Sequence, residues 1–183
     1  MKLQNTRIKD LVVLEPLLWK DDRGYFMESF NRSVFEKYKL EYNWVQDNEA
    51  LSHRGVTRGL HYQIGHYAQA KLVRVIRGKV LDVAVDLRSK SKTYGEVYSI
   101  ILSGENKLQL LIPRGFAHGY QVLEDDTIFA YKCDNYYSKN HEGGISPEDN
   151  ALGIPWPLSR GDWIMSSKDQ ALPYFPNHIS TQL

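Results

Sequence analysis

Apolar and polar residues alternate with a period of two along much of this 183-residue chain, which is the pattern of half-buried β-strands. The segment "KVLDVAVDLR" shows this alternation most clearly, because Leu81, Val83 and Val85 share one face while Asp82 and Asp86 share the other. The segments "EVYSIILS", "KLQLLIP" and "DTIFAYKC" are also strand-like. The pattern therefore predicts an all-β protein.

Turn-forming residues separate the predicted strands. Arg77-Gly78, Ser103-Gly104 and Glu124-Asp125 stand between apolar segments, at spacings typical of a β-sandwich or barrel. A jelly roll is the closed arrangement that also leaves an interior cavity. No repeat, low-complexity tract or linker interrupts the sequence, so we expect residues 1–183 to form a single jelly-roll domain.

Two segments are predicted to form short helices. In "NRSVFEKYKL", Ser33 is followed three residues later by Glu36, which is the pattern of a capping box. In "SPEDNAL", Ser146 precedes Pro147, which is the pattern of a helix cap followed by proline in the first turn. A few short helices are therefore expected among the strands.

The polar face at Asp82 and Asp86 is open to two interpretations. If only one face of this strand is covered, the two carboxylates meet solvent. If both faces are covered, the carboxylates line a water-filled cavity inside the barrel. Periodicity alone does not distinguish the two, and the second interpretation would make this face part of a functional site.

The composition of the chain argues against some classes of binding partner and some cellular locations. The chain is 42% hydrophobic and 25% charged, with a net charge of +1 and both signs dispersed, so nucleic acid is not expected as a partner. No apolar run is long enough to span a membrane, and "MKLQNTRIKD" lacks the apolar core of a secretory signal. The single cysteine, Cys133, suits a reducing cytoplasm, and we expect a buried thiol rather than a nucleophile.

The segments "GVTRGLHYQ" and "PRGFAH" resemble the two motifs of cupin barrels. Metal-binding cupins place a second histidine two residues after the first, where this chain has Gln63, and a glutamate soon afterwards, where residues 64–70 offer none. His61 and His118 supply two ligands, and His66 follows in a predicted loop, whereas metal sites normally have three or four ligands. The motifs favour a cupin scaffold without a metal; a metal-dependent cupin oxygenase or isomerase is the alternative.

Without a metal, His61 is free to act as a general base, because imidazole titrates near neutrality. Proton abstraction also needs a cation that meets the developing negative charge. Lys71 enters the next strand and suits that role, although a lysine that blocks edge-to-edge pairing fits the same position. Arg58 suits a phosphate or pyrophosphate. Tyr131 alternates with Phe129 and Cys133 and is either a proton donor or a packing residue.

A series of motifs resembles one family, dTDP-4-dehydrorhamnose 3,5-epimerase. "DDRGYFMESF" looks like its D-x-R-G-x-F-x-E-x-F segment, and "QDNEALSHRGVTRGLHYQ" resembles its Q-x-N…G-x-x-R-G-L-H-x-Q core. "AQAKLVRVIRGKVLDVAVDLRSKSKTYG" is similar to the next two strands, and "IPRGFAHGY", "Y…YY…E" and "SSKD" match later motifs. Six motifs in the right order cover nearly the whole chain, which makes the resemblance specific.

The resemblance implies a cupin-type jelly roll, a homodimer, and an isomerase that uses no metal or cofactor. It also implies that the substrate is a dTDP-linked 4-keto-6-deoxyglucose, inverted at both carbons beside the ketone on the route to dTDP-L-rhamnose. The implied catalytic residues are His61 as base, Asp169 as its orienting partner, Lys71 for the enolate oxygen and Tyr131 as the acid on the other face.

The resemblance further implies which residues hold the nucleotide sugar: Arg23, Glu28, Gln46, Asn48, Arg58, His118 and Glu142, with Tyr137 stacking near the thymine. The segment that contains Arg23 and Glu28 is implied to reach the pocket of a neighbouring subunit. The sequence departs from the family pattern at Ala50, Thr57 and His66-Tyr67, none of which is an implied catalytic position.

Two further functions compete with a 3,5-epimerase. Relatives with the same scaffold epimerise a single carbon, and how the sugar ring turns in the pocket is not encoded in any motif. A sugar-nucleotide-binding cupin without activity is the other alternative. A base, an acid and a cation together count against a binding module, because binding alone needs none of the three.

Overall fold

The computed structural model describes residues 1–181, and within this range strands dominate the chain. In chain order they are β1 (Lys2–Asn5), β2 (Val12–Glu15), β3 (Trp19–Asp21), β4 (Gly24–Phe26), β5 (Gln46–Ser52), β6 (Thr57–Gln63), β7 (Lys71–Arg77), β8 (Lys79–Asp86), β9 (Val97–Ser103), β10 (Gln109–Ile112), β11 (Phe116–Val122), β12 (Thr127–Cys133) and β13 (Glu142–Gly144). The helical elements are α1 (Arg32–Lys37), α2 (Ser167–Gln170) and the 3₁₀ turns Gly65–Tyr67, Lys139–His141, Asn150–Leu152, Arg160–Asp162 and Phe175–Asn177. The predicted all-β class with a few short helices is confirmed.

The strands form two antiparallel sheets that enclose the core. One sheet has six strands in the order β1-β2-β10-β7-β12-β5, and the other has five in the order β13-β6-β11-β8-β9. Consecutive strands such as β10, β11 and β12 alternate between the sheets, which gives the jelly-roll arrangement. A separate two-stranded hairpin, β3–β4, stands apart from both sheets.

Both faces of β8 are covered. Leu81, Val83 and Val85 pack beneath the C-terminal segment, in a buried cluster that includes Ile145 and Leu152. The opposite face of β8 turns toward the six-stranded sheet, since Val80 and Ala84 belong to the cluster that contains residues of β7 and β12. The apolar face predicted from the alternation is therefore the outer one, and the face with the two aspartates points inward.

Neither interpretation of the two aspartates is right in full, because both side chains are buried without lining an open cavity. Asp82 accepts a hydrogen bond from the His118 ring at 2.9 Å. Asp86 accepts from Arg88 at 2.9 Å and from the Ser91 and Thr93 hydroxyls at 2.7 Å each. Asp82 thus supports a side chain of the site described below, whereas Asp86 anchors the loop that follows β8.

Helix α1 forms in the predicted segment but begins earlier than expected. Its N-cap is Asn31, whose side chain accepts from the backbone N–H of Val34, so the predicted capping box at Ser33 is wrong. Asparagine caps a helix as well as serine does. Phe35 of α1 is buried against Phe30, with ring centroids 4.9 Å apart. The observed cap is thus itself a local signal, two residues before the predicted one.

The helix predicted to begin at Ser146 is also wrong. Ser146 is buried and its backbone N–H donates to Pro173 O at 2.8 Å, which ties this segment to the chain's C-terminal part. A single 3₁₀ turn follows instead, capped by Asp149, which accepts from Ala151 N at 2.9 Å. None of the helices within residues 1–181 is long and apolar enough to cross a membrane.

Candidate active site

A cavity of about 540 Å³ opens between the two sheets. Ten of the twelve residues implicated by the sequence line it, namely Gln46, Asn48, Arg58, His61, Lys71, His118, Tyr131, Tyr137, Glu142 and Asp169. They come from both sheets and from the C-terminal segment, so the fold brings together residues that are more than a hundred positions apart in the chain. Arg23 and Glu28 do not line this cavity.

Close contact between β6 and β11 forms one wall of the cavity. Gly59 has a φ of +97°, and a Cβ atom there would lie 2.7 Å from His118 O and 2.9 Å from the Gly119 Cα. Only glycine fits such an approach without displacing the neighbouring strand. The contact places His61 directly opposite His118 in the antiparallel register. The glycines around His61 therefore position two histidines side by side.

His61 and Asp169 form a hydrogen-bonded pair near the cavity mouth. The His61 Nε2 and Asp169 Oδ1 atoms are 2.6 Å apart, and the two side chains are 25% and 8% exposed. Ser166, the N-cap of α2, donates its hydroxyl to the other Asp169 oxygen at 2.7 Å. Burial raises the pKa of Asp169, but hydrogen bonds from His61 and Ser166 outweigh burial, and the net pKa is below its usual value. Asp169 is therefore an anionic partner that orients the imidazole.

A second carboxylate, Glu142, faces the other ring nitrogen of His61. Its Oε1 atom lies 3.4 Å from His61 Nδ1. Lys168 Nζ donates to both Glu142 oxygens at 2.6 Å, and the Tyr137 hydroxyl donates to Oε2 at 2.8 Å. Burial raises the pKa of Glu142, but the hydrogen bonds from Lys168 and Tyr137 leave its net pKa lowered. Glu142 is thus an anion held from one side by an ammonium and a phenol.

His118 and Asp82 form a second histidine–aspartate pair, deeper in the cavity. His118 Nε2 is 2.9 Å from Asp82 Oδ2, and the side chains are 6% and 0% exposed. Burial lowers the pKa of His118, and the neighbouring Asp82 only partly offsets this effect. The His118 ring also stacks on Phe129, with centroids 6.1 Å apart. This pair is enclosed by the core and belongs to adjacent strands of one sheet.

Lys71 enters the cavity from β7, on the wall opposite His61. Burial lowers the pKa of Lys71, while Cys133, Asp82 and Glu142 act to raise it. Within residues 1–181 its ammonium forms no ion pair, and it lies 6.0 Å from the centroid of the Tyr131 ring. A cation that is partly desolvated and without a carboxylate partner is available to an anion that enters the cavity.

Two tyrosines line the cavity from different sheets, Tyr131 from β12 of the six-stranded sheet and Tyr120 from β11 of the five-stranded sheet. Tyr131 lies on β12, and burial raises its pKa, so its phenol is protonated at neutral pH. Tyr120, which the sequence reasoning did not single out, stacks on Phe129 at 4.1 Å, and burial raises its pKa to about 12. Cys133, on the same face as Tyr131, is buried as predicted, and burial raises its pKa to about 11.

Polar side chains from β5 and β6 surround the open end. Gln46 donates an amide N–H to the Asn48 Oδ1 atom at 3.0 Å, and Asn48 donates to the Cys133 Sγ atom at 3.8 Å. Arg58 is exposed, and its Nη2 atom lies 3.4 Å from the Ser52 hydroxyl. The guanidinium therefore remains accessible for a bidentate contact with an anionic group.

Arg23 and Glu28 lie in the exposed hairpin region instead. Arg23 pairs with Asp21 within the β3–β4 hairpin, and Glu28 accepts from Asn31 at 2.7 Å. The hairpin carries Trp19, Tyr25 and Phe26, which are 48%, 52% and 65% exposed. Within residues 1–181, none of these three side chains belongs to a buried apolar cluster of the chain.

The side chains at the positions where a metal-dependent cupin would have its ligands make other contacts or face solvent. Gln63 is buried, and its Oε1 atom accepts from the backbone N–H of Ser138 at 2.9 Å. His66 is exposed on the 3₁₀ turn Gly65–Tyr67. Within residues 1–181, no three His, Cys, Asp or Glu side chains lie close enough to hold a metal ion. His61 and His118 each have an aspartate partner instead.

Besides Tyr120, the sequence motifs did not indicate a role for Lys168 or Asp82 at this site. The motif "SSKD" was matched for its aspartate, and the lysine before it is the signal that was available. The alternation places Asp82 on the polar face of its strand without deciding where that face points, and its link to His118 depends on the register between β8 and β11. Both omissions concern residues that act through a neighbour.

Comparisons with known proteins agree with these observations. The family model for dTDP-4-dehydrorhamnose 3,5-epimerase matches residues 5–177. The dTDP-4-dehydrorhamnose 3,5-epimerase of Shigella flexneri is 49% identical to this chain over 172 residues, covering 92% of this chain and 93% of that protein.

Solved structures are similar over the same extent. The dTDP-4-dehydrorhamnose 3,5-epimerase from Elizabethkingia anophelis has 48% identity and a TM-score of 0.91, covering 97% of each chain. The dTDP-6-deoxy-D-glucose-3,5-epimerase from Legionella pneumophila, in complex with dTDP-4-keto-L-rhamnose, has 45% identity and a TM-score of 0.92. That match covers 96% of this chain and 93% of the other.

Proposed function

This chain belongs to the dTDP-4-dehydrorhamnose 3,5-epimerase family, and on this premise we propose that it inverts C3 and C5 of dTDP-4-dehydro-6-deoxy-D-glucose. The product of this isomerisation is dTDP-4-dehydro-L-rhamnose, on the route to dTDP-L-rhamnose. The family and the cupin-type jelly roll that the sequence motifs predicted are confirmed. The residue roles below are part of the proposal.

The observation that carries the proposal is the position of His61 and Tyr131 on opposite walls of one cavity. His61 lies on β6 of the five-stranded sheet, and Tyr131 lies on β12 of the six-stranded sheet. Inversion of a carbon beside a ketone needs a base on one side of the sugar ring and an acid on the other. A sugar bound between the sheets would meet one group on each side.

His61 is the proposed base. It removes the proton from the carbon beside the ketone, and the electrons of the broken C–H bond pass to the ketone oxygen to form an enolate. Asp169 holds the ring at 2.6 Å and stabilises the imidazolium that forms, in the way a carboxylate orients a catalytic histidine.

Lys71 and Tyr131 are proposed to complete the reaction from the opposite wall. The Lys71 ammonium meets the negative enolate oxygen, in a site where burial strengthens the electrostatic interaction. Tyr131 then donates its phenolic proton to the opposite face of the same carbon. Its raised pKa keeps the proton in place until the carbanion accepts it. His61 then releases its proton to water and Tyr131 takes up a proton from water, and with both groups reset the same two steps at the second carbon invert that centre as well.

The remaining cavity residues are proposed to hold the nucleotide sugar. Arg58 binds the diphosphate, and Tyr137 packs against the thymine base. Gln46, Asn48, His118 and Glu142 offer hydrogen-bonding groups to the sugars. Holding the substrate far from the reacting carbon fixes its orientation between the base and the acid.

We also propose that the protein is a homodimer in which the β3–β4 hairpin reaches the partner. The exposed aromatic residues of the hairpin need a second surface to bury them. Arg23 and Glu28 would then enter the partner's cavity, which explains why they lie outside the cavity of their own chain. The free Cys133 thiol suits the cytoplasmic location that we retain in the proposal.

Mixing two inactive variants tests the exchange of the hairpin. An Arg23→Ala chain and a His61→Ala chain are co-refolded, and each alone is expected to be nearly inactive. In a mixed dimer with exchanged hairpins, one site has both an intact His61 and an intact Arg23, so activity returns. No return of activity in proven mixed dimers would mean that Arg23 acts within its own chain.

Deuterium incorporation tests the reaction itself. Incubation with dTDP-4-dehydro-6-deoxy-D-glucose in deuterated water is expected to introduce deuterium at both C3 and C5, measured by NMR. Deuterium at a single carbon would identify a single-site epimerase instead. No incorporation in a folded protein that binds dTDP would overturn the enzymatic proposal and favour a binding module.

Two variants assign the base and the acid. His61→Ala is expected to abolish exchange while dTDP still binds. Tyr131→Phe is expected to spare proton loss from the first carbon more than full inversion, because it removes only the proton donor on the far face. Equal loss of exchange and inversion in Tyr131→Phe would remove that residue from the proposed role.

A further inference from the structure

We propose that Lys168 is a positioning residue that keeps the His61 imidazole unprotonated by holding and neutralising Glu142. This inference rests on the proposed role of His61 as the base. It assigns to Lys168 an action on the proton-abstracting ring, exerted through the carboxylate that lies between them.

Two carboxylates lie close to the His61 ring, one beside each ring nitrogen. One ring nitrogen, Nε2, lies 2.6 Å from the Asp169 carboxylate, and the other, Nδ1, lies 3.4 Å from the Glu142 carboxylate. Nδ1 is buried and has no hydrogen-bond partner within the described residues. An imidazole between two carboxylates tends to bind a second proton, and a doubly protonated ring cannot act as a base.

Lys168 offsets the attraction that the Glu142 carboxylate has for a second proton on the imidazole. Its ammonium lies 2.6 Å from each Glu142 oxygen, and the Tyr137 hydroxyl occupies a further acceptor position on Oε2. The oxygens of Glu142 are therefore directed toward Lys168 and Tyr137, and the contact with His61 Nδ1 lacks hydrogen-bond geometry. Glu142 remains near the ring, but its charge is balanced by that of Lys168.

One short helix controls both sides of the imidazole. Lys168 and Asp169 are consecutive residues of α2, which Ser166 caps. Asp169 holds Nε2 directly, whereas Lys168 acts on the Nδ1 side through Glu142. The position of this single helical turn therefore sets both the orientation of the ring and the net charge that surrounds it.

Other ionisable groups also face His61 and must remain constant for the test. From β5, β6, β7, β8, β11 and β12 and the loop before β13, the ionisable groups at or beside the cavity are Glu49, Arg58, Tyr62, Lys71, Asp82, His118, Tyr120, Tyr131, Cys133 and Tyr137. Within residues 1–181 none of them forms a hydrogen bond or ion pair with Lys168, and Tyr137 is linked to it only through Glu142. A change at Lys168 therefore alters one charge near the ring and leaves the others in place.

The test compares Lys168→Met with Lys139→Met as the matched control. Lys139 is exposed, lies three residues before Glu142, and forms no ion pair within residues 1–181, so its removal changes net charge equally. In Lys168→Met we expect the acidic limb of the kcat/KM profile to move to higher pH by about one unit, because Glu142 now favours imidazolium. The control is expected to keep the wild-type limb.

An NMR titration of the His61 ring in substrate-free enzyme gives a readout that does not depend on activity. Its midpoint is expected to move to higher pH in Lys168→Met, to return in Lys168→Arg, and not to move when Lys168→Met is combined with Glu142→Gln. If Lys168→Met lowers the rate equally at all pH values and leaves this midpoint unchanged, Lys168 serves only binding or structure, and the inference is overturned. Failure of the epimerase proposal is separate, because it shows as absent deuterium exchange.

Discussion

The two histidine–aspartate pairs of the cavity differ in depth and in origin. His118 and Asp82 lie on adjacent strands of one sheet and are almost completely enclosed. His61 and Asp169 are 108 residues apart in the chain, and a quarter of the His61 side chain is exposed. One histidine–aspartate pair, His118 with Asp82, is thus part of the buried sheet, and the other, His61 with Asp169, lies at the cavity mouth.

This difference indicates different tasks for the two pairs. A base must exchange protons with the substrate and later with water, so it needs access, a single orientation and a carboxylate that stays anionic. The His61 side chain is a quarter exposed at the cavity mouth, and Asp169 supplies the orienting anion. His118 is held by Asp82 and stacked on Phe129, and burial lowers its pKa, which suits a fixed neutral side chain. Loss of the first pair should mainly affect the rate, and loss of the second should mainly affect stability.

The largest expected effect is that of Asp169→Asn on the reaction rate. The amide can donate to Nε2 and so favour the wrong tautomer of His61, and we expect kcat to fall by roughly 10²–10⁴-fold. Deuterium exchange and circular dichroism measure the rate and the fold. Asp162→Asn, an exposed change in the same C-terminal segment, is the control and should keep full activity. A loss smaller than tenfold in Asp169→Asn would contradict the orienting role.

The His118→Ala variant tests the same comparison by its effect on the stability of the protein. The substitution leaves the Asp82 carboxylate buried without its partner, and its Oδ1 atom already has no hydrogen-bond partner within the described residues. We expect the free energy of unfolding to fall by about 3 kcal/mol, measured by urea denaturation.

His61→Ala is the matched comparison for that measurement. Asp169 keeps its hydrogen bonds from Ser166 and from the Gly59 backbone, so we expect unfolding to change by less than about 1 kcal/mol. If His118→Ala and His61→Ala lower the free energy of unfolding equally, the proposed difference between a structural His118–Asp82 pair and a catalytic His61–Asp169 pair is wrong.

The smallest effect concerns the thiol of Cys133 in the deep wall. Burial raises its pKa to about 11, so the thiol remains protonated and enclosed at pH 7.5. We expect alkylation by iodoacetamide to be at least about tenfold slower than in the urea-unfolded chain, as measured by mass spectrometry. Equal rates in the folded and unfolded states would show that the deep wall is open to solvent, unlike the enclosure inferred for the second pair.

Local patterns predicted the strands but not every helix boundary. The alternation in "KVLDVAVDLR" and "DTIFAYKC" corresponds to β8 and β12, because side chains of a strand point to alternate faces whatever lies beyond. The capping box at Ser33 is wrong because Asn31, two residues earlier, caps the helix, and the helix at Ser146 is wrong because the Ser146 backbone N–H is bound to Pro173 O, a distant contact that local patterns do not contain.

For the candidate site, the sequence motifs predicted the residues but not the contacts between them. Motif resemblance named His61, Lys71, Tyr131 and Asp169, and all four line one cavity. It gave no sign that Glu142 faces the second nitrogen of His61, or that Lys168 holds Glu142. Those relations depend on where α2 returns against β6 and β13, which no spacing along the chain records.

The sequence by itself determined the strand-rich class, the family and the residue types that carry the chemistry, because alternation and ordered motifs are properties of the chain. Only the tertiary structure decided which face of β8 points inward. The C-terminal segment covers Leu81, Val83 and Val85 and leaves Asp82 to face the six-stranded sheet beside His118. Burial of one face depends on what packs against it, and that partner lies more than fifty residues further along the chain.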